Sequence, residues 1–176
     1  MIRIFLIGYM GAGKTTLGKA LSRELGLPFI DLDWYTEERY HKTIRELFSE
    51  KGERNYRELE QRMLHEVAEF ENVIISVGGG TPCFFDNMDF MNNHGNTVFL
   101  KVNPEVLFRR LRVAKYQRPL LCDRPDEELM DYIVTSLNER KDFYQKARFV
   151  FEANKLDNSF QIKSAVNCLK ELLKIG

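Results

Sequence analysis

Nine residues near the start of the chain, Gly8-Tyr9-Met10-Gly11-Ala12-Gly13-Lys14-Thr15-Thr16, have the types and the spacing to hold a polyphosphate. They spell G-x-x-x-x-G-K-[ST] between an apolar run at residues 2–7 and a helical pattern, which is the strand–loop–helix setting in which that spacing has a mechanism. Glycines let the backbone turn tightly enough for successive N–H groups to point inward. The helix that follows adds the positive end of its dipole. In such a loop Gly11, Ala12, Gly13 and Thr16 contribute to the cradle, Lys14 reaches the β/γ-phosphates and the Thr15 hydroxyl holds Mg²⁺. A glycine turn that merely caps an ordinary helix is the weaker reading, because both flanks are correct for phosphate binding. The chain is expected to bind a nucleoside triphosphate.

Three further groups could do chemistry. Asp31 and Asp33 close a short apolar stretch. Either could simply cap the next helix. Two residues apart on a strand they would share one face and could serve one site in different roles, one near Mg²⁺ through water and the other facing an acceptor as hydrogen-bond partner or base. Gly78, Gly79 and Gly80 follow a continuous apolar run. Three glycines after a buried strand carry a high backbone entropy, so close approach by a ligand explains them better than a flexible turn. Among the arginines, Arg57 and Arg140 fall on amphipathic helical patterns, where a solvated charge is the ordinary outcome. Arg118 lies beside Pro119 in a long cationic stretch and could close over phosphates and offset transition-state charge. Arg109, Arg110 and Arg112 suit the C-terminal dipole of a helix, and one of them could stack on a base.

These residues need elements to position them. Apolar runs at residues 2–7, 27–32, 73–77, 97–102 and 149–153 read as strands. Helical spacing covers the stretch after the glycine loop up to Gly26, then about 34–41, 43–51, 53–70, 84–92, 104–112, 126–146 and 160–175. Thr43 and Glu46 form a capping box. Residues 113–125 break the pattern and suit a lid. Strands alternate with helices, which predicts α/β architecture with a parallel sheet covered on both faces. In such a sheet ligands bind outside the carboxyl ends of the strands, so the loop at 8–16, the two aspartates and the three glycines should meet at one edge.

A chain of 176 residues is most simply one domain, able to bury ~70% of its unfolded surface. With 26 basic against 26 acidic residues it is not built for bulk nucleic-acid or membrane binding. Cys83, Cys122 and Cys168 show no C-x-x-C spacing, which reads as reduced thiols in a cytoplasmic protein. No signal-peptide pattern and no apolar run near 18 residues is present. Asn154-Lys155-Leu156-Asp157 spells the N-K-x-D of P-loop GTPases, but the D-x-x-G turn those proteins also need is missing.

Taken together the motifs resemble those of the shikimate kinase family, within the nucleoside-monophosphate-kinase-like group of P-loop proteins. The glycine loop resembles its G-x-M-G-x-G-K-[ST], Asp31-Leu32-Asp33 its D-x-D, and Arg57 with Glu60 its R-x-x-E. Gly78-Gly79-Gly80 resembles its triple glycine, Arg118-Pro119-Leu120-Leu121 its lid R-P-L-L, and Arg140 with Tyr144 its E-R-x-x-x-Y. The resemblance implies a three-layer α/β/α fold with sheet order 2-3-1-4-5, and transfer of the ATP γ-phosphoryl group to the 3-hydroxyl of shikimate. It implies that Asp33 binds the acceptor hydroxyls, that Arg57 and Arg140 grip its carboxylate, and that Gly78, Gly79 and Gly80 lie against it. It further implies that Arg118 closes over ATP, and that Thr15 and, through water, Asp31 serve Mg²⁺. A monomer with acceptor-binding helices at about 34–70 is expected, with no nucleic-acid or membrane partner. The competing readings are a kinase for another small acceptor, such as gluconate or a nucleoside monophosphate, and a non-catalytic nucleotide-binding module.

Overall fold

The computed structural model describes residues 1–114 and 125–175. The first apolar run becomes β1 (Arg3–Ile7), and the glycine loop leads from it into α1 (Lys14–Leu25). β2 (Phe29–Asp31), α2 (Leu32–Tyr40) and α3 (Ile44–Val67) follow, then β3 (Val73–Ser76) and a single 3-10 turn at Thr81–Cys83. Next come α4 (Asn87–His94), β4 (Asn96–Lys101), α5 (Pro104–Ala114), α6 (Asp126–Tyr144), β5 (Phe149–Glu152) and α7 (Ser159–Leu173). All four strand pairings are parallel and the order is β2-β3-β1-β4-β5. This is the α/β fold and the sheet order that the motifs implied.

β1 is buried along its whole length because it sits at the centre, with Phe5 between Ile75 on β3 and Thr97 on β4. Its alternate residues feed two separate cores. Ile4 and Leu6 pack with Leu17 and Leu21 of α1, Leu107 of α5, Leu129 and Ile133 of α6 and Leu169 of α7. Phe5 and Ile7 pack on the other face with Leu59 and Leu64 of α3 and Met88 and Met91 of α4. Helices therefore cover both faces, which explains why the strands read as continuous apolar runs.

Among the differences from the sequence reading, three have a local reason in the structure. β2 stops at Asp31, because the Asp31 side chain accepts from the backbone N–H of Asp33 (3.1 Å) and Trp34 (3.3 Å) and starts α2 there. Asp33 therefore lies in the first turn of a helix and not on a strand with Asp31. The capping box of Thr43 and Glu46 forms, but the helix it opens runs on as α3 through a kink at Gly52, where φ is 74° and ψ 166°. The kink falls between the two expected helices. Finally, the 3-10 turn at Thr81–Cys83 delays α4 to Asn87. Among the described residues no helix is long and apolar enough to cross a membrane.

Candidate active site

The glycine loop leaves the carboxyl end of β1 and closes on itself. Lys14 Nζ donates to the carbonyls of Gly8 (2.7 Å) and Tyr9 (3.0 Å), which ties the side chain back across the loop. Gly13 has φ +94°, a conformation that demands glycine, and a Cβ there would stand 2.5 Å from Leu156 Cδ1, so the leucine side chain would also have to shift. Gly13 also occupies the N-cap position of α1, where no side chain caps the helix and no acidic residue lies in the first turn. That helix start suits an anion. Ala12 stands apart: it is 1% exposed and its N–H donates to the Tyr9 carbonyl, so it faces the core.

Beside the loop, Asp31 does two jobs with one carboxylate. Oδ1 caps α2, and Oδ2 accepts from Thr15 Oγ1 at 3.2 Å. The capping and functional readings of this residue are thus compatible. In the first turn of α2, Asp33 is pulled from water, and burial, followed by the charges of Asp31 and Glu60, raises its pKa to about 6. Lys14 opposes the shift. A carboxylate with that value is poised to take a proton near neutral pH.

The triple glycine turns out to seat two arginines. A Cβ on Gly80 would lie 2.8 Å from Arg57 Nη2, and one on Gly79 would lie 3.1 Å from Arg140 Nη1. The sequence pointed to close approach by a ligand; in the structure the groups that approach these two glycines are the chain's own guanidinium groups. Arg57 also lies 4.2 Å from the centre of the Phe84 ring, and its Nη1 donates to Glu60 Oε2 at 2.9 Å. Its Nε is buried with no hydrogen-bond partner among the described residues, a donor suited to an incoming anion. Arg140 stands 5.3 Å above the Tyr9 ring, while Tyr144, one turn on, donates its hydroxyl proton to the Gly79 carbonyl at 2.6 Å.

Between these groups lies a cleft of ≈640 Å³ lined by Lys14, Thr15, Thr16, Asp31, Asp33 and Gly79, among others. Gly11, Gly13 and Gly78 also face it, whereas Ala12, Arg57, Gly80 and Arg140 do not line it directly. Trp34 and Glu37 line it too and were not foreseen, although Asp33 and Glu37 are four apart on one helix. By its place in the sequence Arg110 suits the C-terminal dipole of α5. Its Nη1 donates to the Gly11 carbonyl (3.2 Å) and its Nη2 to those of Ala153 (3.0 Å) and Asn154 (3.2 Å), which brings it to the cleft wall. Burial lowers its pKa. No local pattern separates it from its neighbours Arg109 and Arg112. The N-K-x-D segment is used structurally: Asn154 Oδ1 accepts from the Asn103 N–H at 2.8 Å, and Asp157 pairs with Arg109 at 3.3 Å. Leu156 and Asp157 nevertheless line the cleft. Arg118 and most of the expected lid at 113–125 lie outside the described residues.

A parallel sheet in the order 2-3-1-4-5, with a phosphate loop after its central strand and carboxylates and arginines at the same edge, defines a P-loop protein of the nucleoside-monophosphate-kinase-like group. The family model described as Shikimate kinase matches residues 10–172. The shikimate kinase of Bacteroides thetaiotaomicron is 63% identical over 175 residues, covering 99% of this chain and 100% of that one. A crystal structure of a shikimate kinase from the same organism superposes with a TM-score of 0.97 at 63% identity, over 99% of both chains. The shikimate kinase of Acinetobacter baumannii, solved in complex with shikimate, has a TM-score of 0.82 at 28% identity, over 99% of this chain and 94% of that one. The chain belongs to the shikimate kinase family, whose members are phosphotransferases with an alcohol group as acceptor.

Proposed function

We propose that this chain transfers the γ-phosphoryl group of ATP to the 3-hydroxyl of shikimate, giving shikimate 3-phosphate and ADP. The observation that carries the reading is the pair of guanidinium groups seated on Gly79 and Gly80, next to an Asp33 whose pKa is raised to about 6 and which faces the phosphate loop. A small polyol acid needs cations for its carboxylate and an acceptor for its hydroxyls, and this edge of the sheet supplies both.

In this reading Gly11, Gly13, Lys14, Thr15 and Thr16 hold the ATP phosphates, with Ala12 shaping the loop from behind. Asp33 accepts a hydrogen bond from the acceptor 3-hydroxyl and takes its proton as the oxygen attacks the γ-phosphorus. The bond from that phosphorus to the β,γ-bridging oxygen breaks, and Lys14 offsets the charge that gathers on the departing ADP. Arg57 and Arg140 grip the acceptor carboxylate, and Gly78, Gly79 and Gly80 let it approach the backbone. Arg118 closes over ATP from the lid at 113–125, and the helices at about 34–70 carry the acceptor side of a single domain. For Mg²⁺, Thr15 and, through water, Asp31 fit: their oxygens lie 3.2 Å apart, and this ion uses few protein ligands besides phosphate and water. When bound, it screens the charge between the β- and γ-phosphates. The protein acts as a monomer in the cytoplasm on a small molecule, with no nucleic-acid or membrane partner.

The test is ADP release across a panel of acceptors. Turnover should depend on shikimate. Turnover with gluconate or AMP and none with shikimate would overturn the assignment, and binding of ATP without turnover on any acceptor would favour a non-catalytic module.

A further inference from the structure

Thr81 is fully buried, yet its side chain is polar and has a single proton to donate. That proton goes to Glu60 Oε1 at 2.7 Å. The other carboxylate oxygen, Oε2, accepts from Arg57 Nη1 at 2.9 Å, so Glu60, itself 2% exposed, is held at both oxygens. Thr81 is anchored in turn. Its N–H donates to the Gly78 carbonyl at 3.1 Å, and its own carbonyl accepts from Asn87 Nδ2 at 2.9 Å. Asn87 is also fully buried.

The arrangement restrains the Arg57 guanidinium group. Arg57 Cζ lies over the Phe84 ring, 4.2 Å from its centre, and the backbone at Gly80 approaches so closely that a Cβ there would stand 2.8 Å from Nη2. Such packing contacts are not directional and leave the group rotation. The bond to Glu60 stops that rotation only as long as Glu60 itself stays put. A carboxylate held at one oxygen turns readily, because its terminal torsion is broad. The Thr81 hydroxyl supplies the second hold. A Cβ on Gly78 would lie 3.0 Å from Thr81 Oγ1, 3.3 Å from Glu60 Oε1 and 3.4 Å from Asp33 Oδ1. Three oxygens thus converge at the turn that also seats the arginines, and the hydroxyl is the proton donor among them.

We propose that Thr81 is a positioning residue for the acceptor: acting through Glu60, it sets the direction in which Arg57 presents its remaining donors, including the buried Nε. The inference rests on reading Arg57 as a partner of the acceptor carboxylate. It assigns Thr81 no contact with substrate.

Valine has nearly the shape of threonine without the hydroxyl, and serine keeps the hydroxyl. In the full chain, Thr81→Val should raise the KM for shikimate roughly tenfold, the scale of losing a buried hydrogen bond to a charged group. The KM for ATP should stay at the wild-type value, and Thr81→Ser should restore the shikimate KM. Should Thr81→Val fail to fold, Thr81→Ala is compared with Thr81→Ser in the same way. A shikimate KM unmoved by loss of the hydroxyl, an equal rise in both KM values, or no rescue by serine overturns the proposal. Absence of shikimate-dependent turnover in the wild-type chain would instead overturn the assignment of the acceptor, and this inference with it.

Discussion

Replacing Asp33 by asparagine should move activity and stability in opposite directions. Burial, with help from Asp31 and Glu60, holds the folded pKa of Asp33 at about 6 against an ordinary 3.8. A difference of about two pH units, at ~1.36 kcal/mol each, withholds ~3 kcal/mol of folding free energy above that range. The sign follows from linkage. The folded pKa lies above the unfolded one, so the native state binds the proton more tightly. The penalty is absent below pH 3.8, grows as pH rises toward about 6, and is constant beyond it. An asparagine carries no charge, and its NH₂ can donate to the neighbouring carboxylates, but it too must leave water. Asp33→Asn should therefore be more stable than wild type by ~1–3 kcal/mol near neutral pH. Its kcat with shikimate should fall by roughly 10²-fold or more, the range for a lost general base. Urea unfolding of both proteins at about pH 4.5 and about pH 7.5, without ligands, reads the first effect, and the margin should be larger at the higher pH. ADP release reads the second. A variant no more stable than wild type at the higher pH, or a margin equal at both, refutes the account of the carboxylate. Full turnover would refute its role toward the acceptor.

Other perturbations test the remaining parts of the site. Arg57→Ala should weaken shikimate binding roughly 30-fold or more, as when a partner of a buried charge pair is truncated. Fluorescence of Trp34, the chain's single tryptophan, 61% exposed where it lines the cleft, offers a readout, and a matching loss of ATP affinity would contradict the assignment. Asp31→Asn keeps a good N-cap for α2, so it should retain stability while needing more Mg²⁺ for half-maximal turnover. Asp31→Ala should in addition lose ~1 kcal/mol of stability. Identical Mg²⁺ titrations for Asp31→Asn and wild type would remove Asp31 from the metal site. Gly13→Ala meets both a φ of +94° and Leu156 at 2.5 Å, and should destabilise the fold by about 2 kcal/mol and impair ATP saturation. An unchanged unfolding midpoint would show that the loop relaxes freely.

The alternation of strands and helices was legible because each element's signal is local: continuous apolar runs for strands buried on both faces, helical spacing for their covers. So was the phosphate loop, whose glycines, lysine and threonine stand together in the chain. The sheet order was reached by resemblance alone, since hydrogen bonds between distant strands leave no mark on local pattern. The apolar pattern carries strand 2 past its true end because Leu32 is as apolar as a strand residue, and only the bonds from the Asp33 and Trp34 N–H groups to Asp31 reveal that the helix begins there.

What the amino-acid order determined by itself was the inventory: a phosphate loop, two carboxylates, three glycines and a set of arginines spread along the chain. Tertiary structure decided which of them meet. It placed Arg57 and Arg140 on Gly80 and Gly79, turned Ala12 into the core, and drew Arg110, but not Arg109 or Arg112, onto the Gly11 carbonyl. It also decided the protonation of Asp33, whose pKa of about 6 comes from burial and from charges that lie close only in the folded chain. Desolvation and Coulomb energy depend on distance through space, and sequence records only distance along the chain.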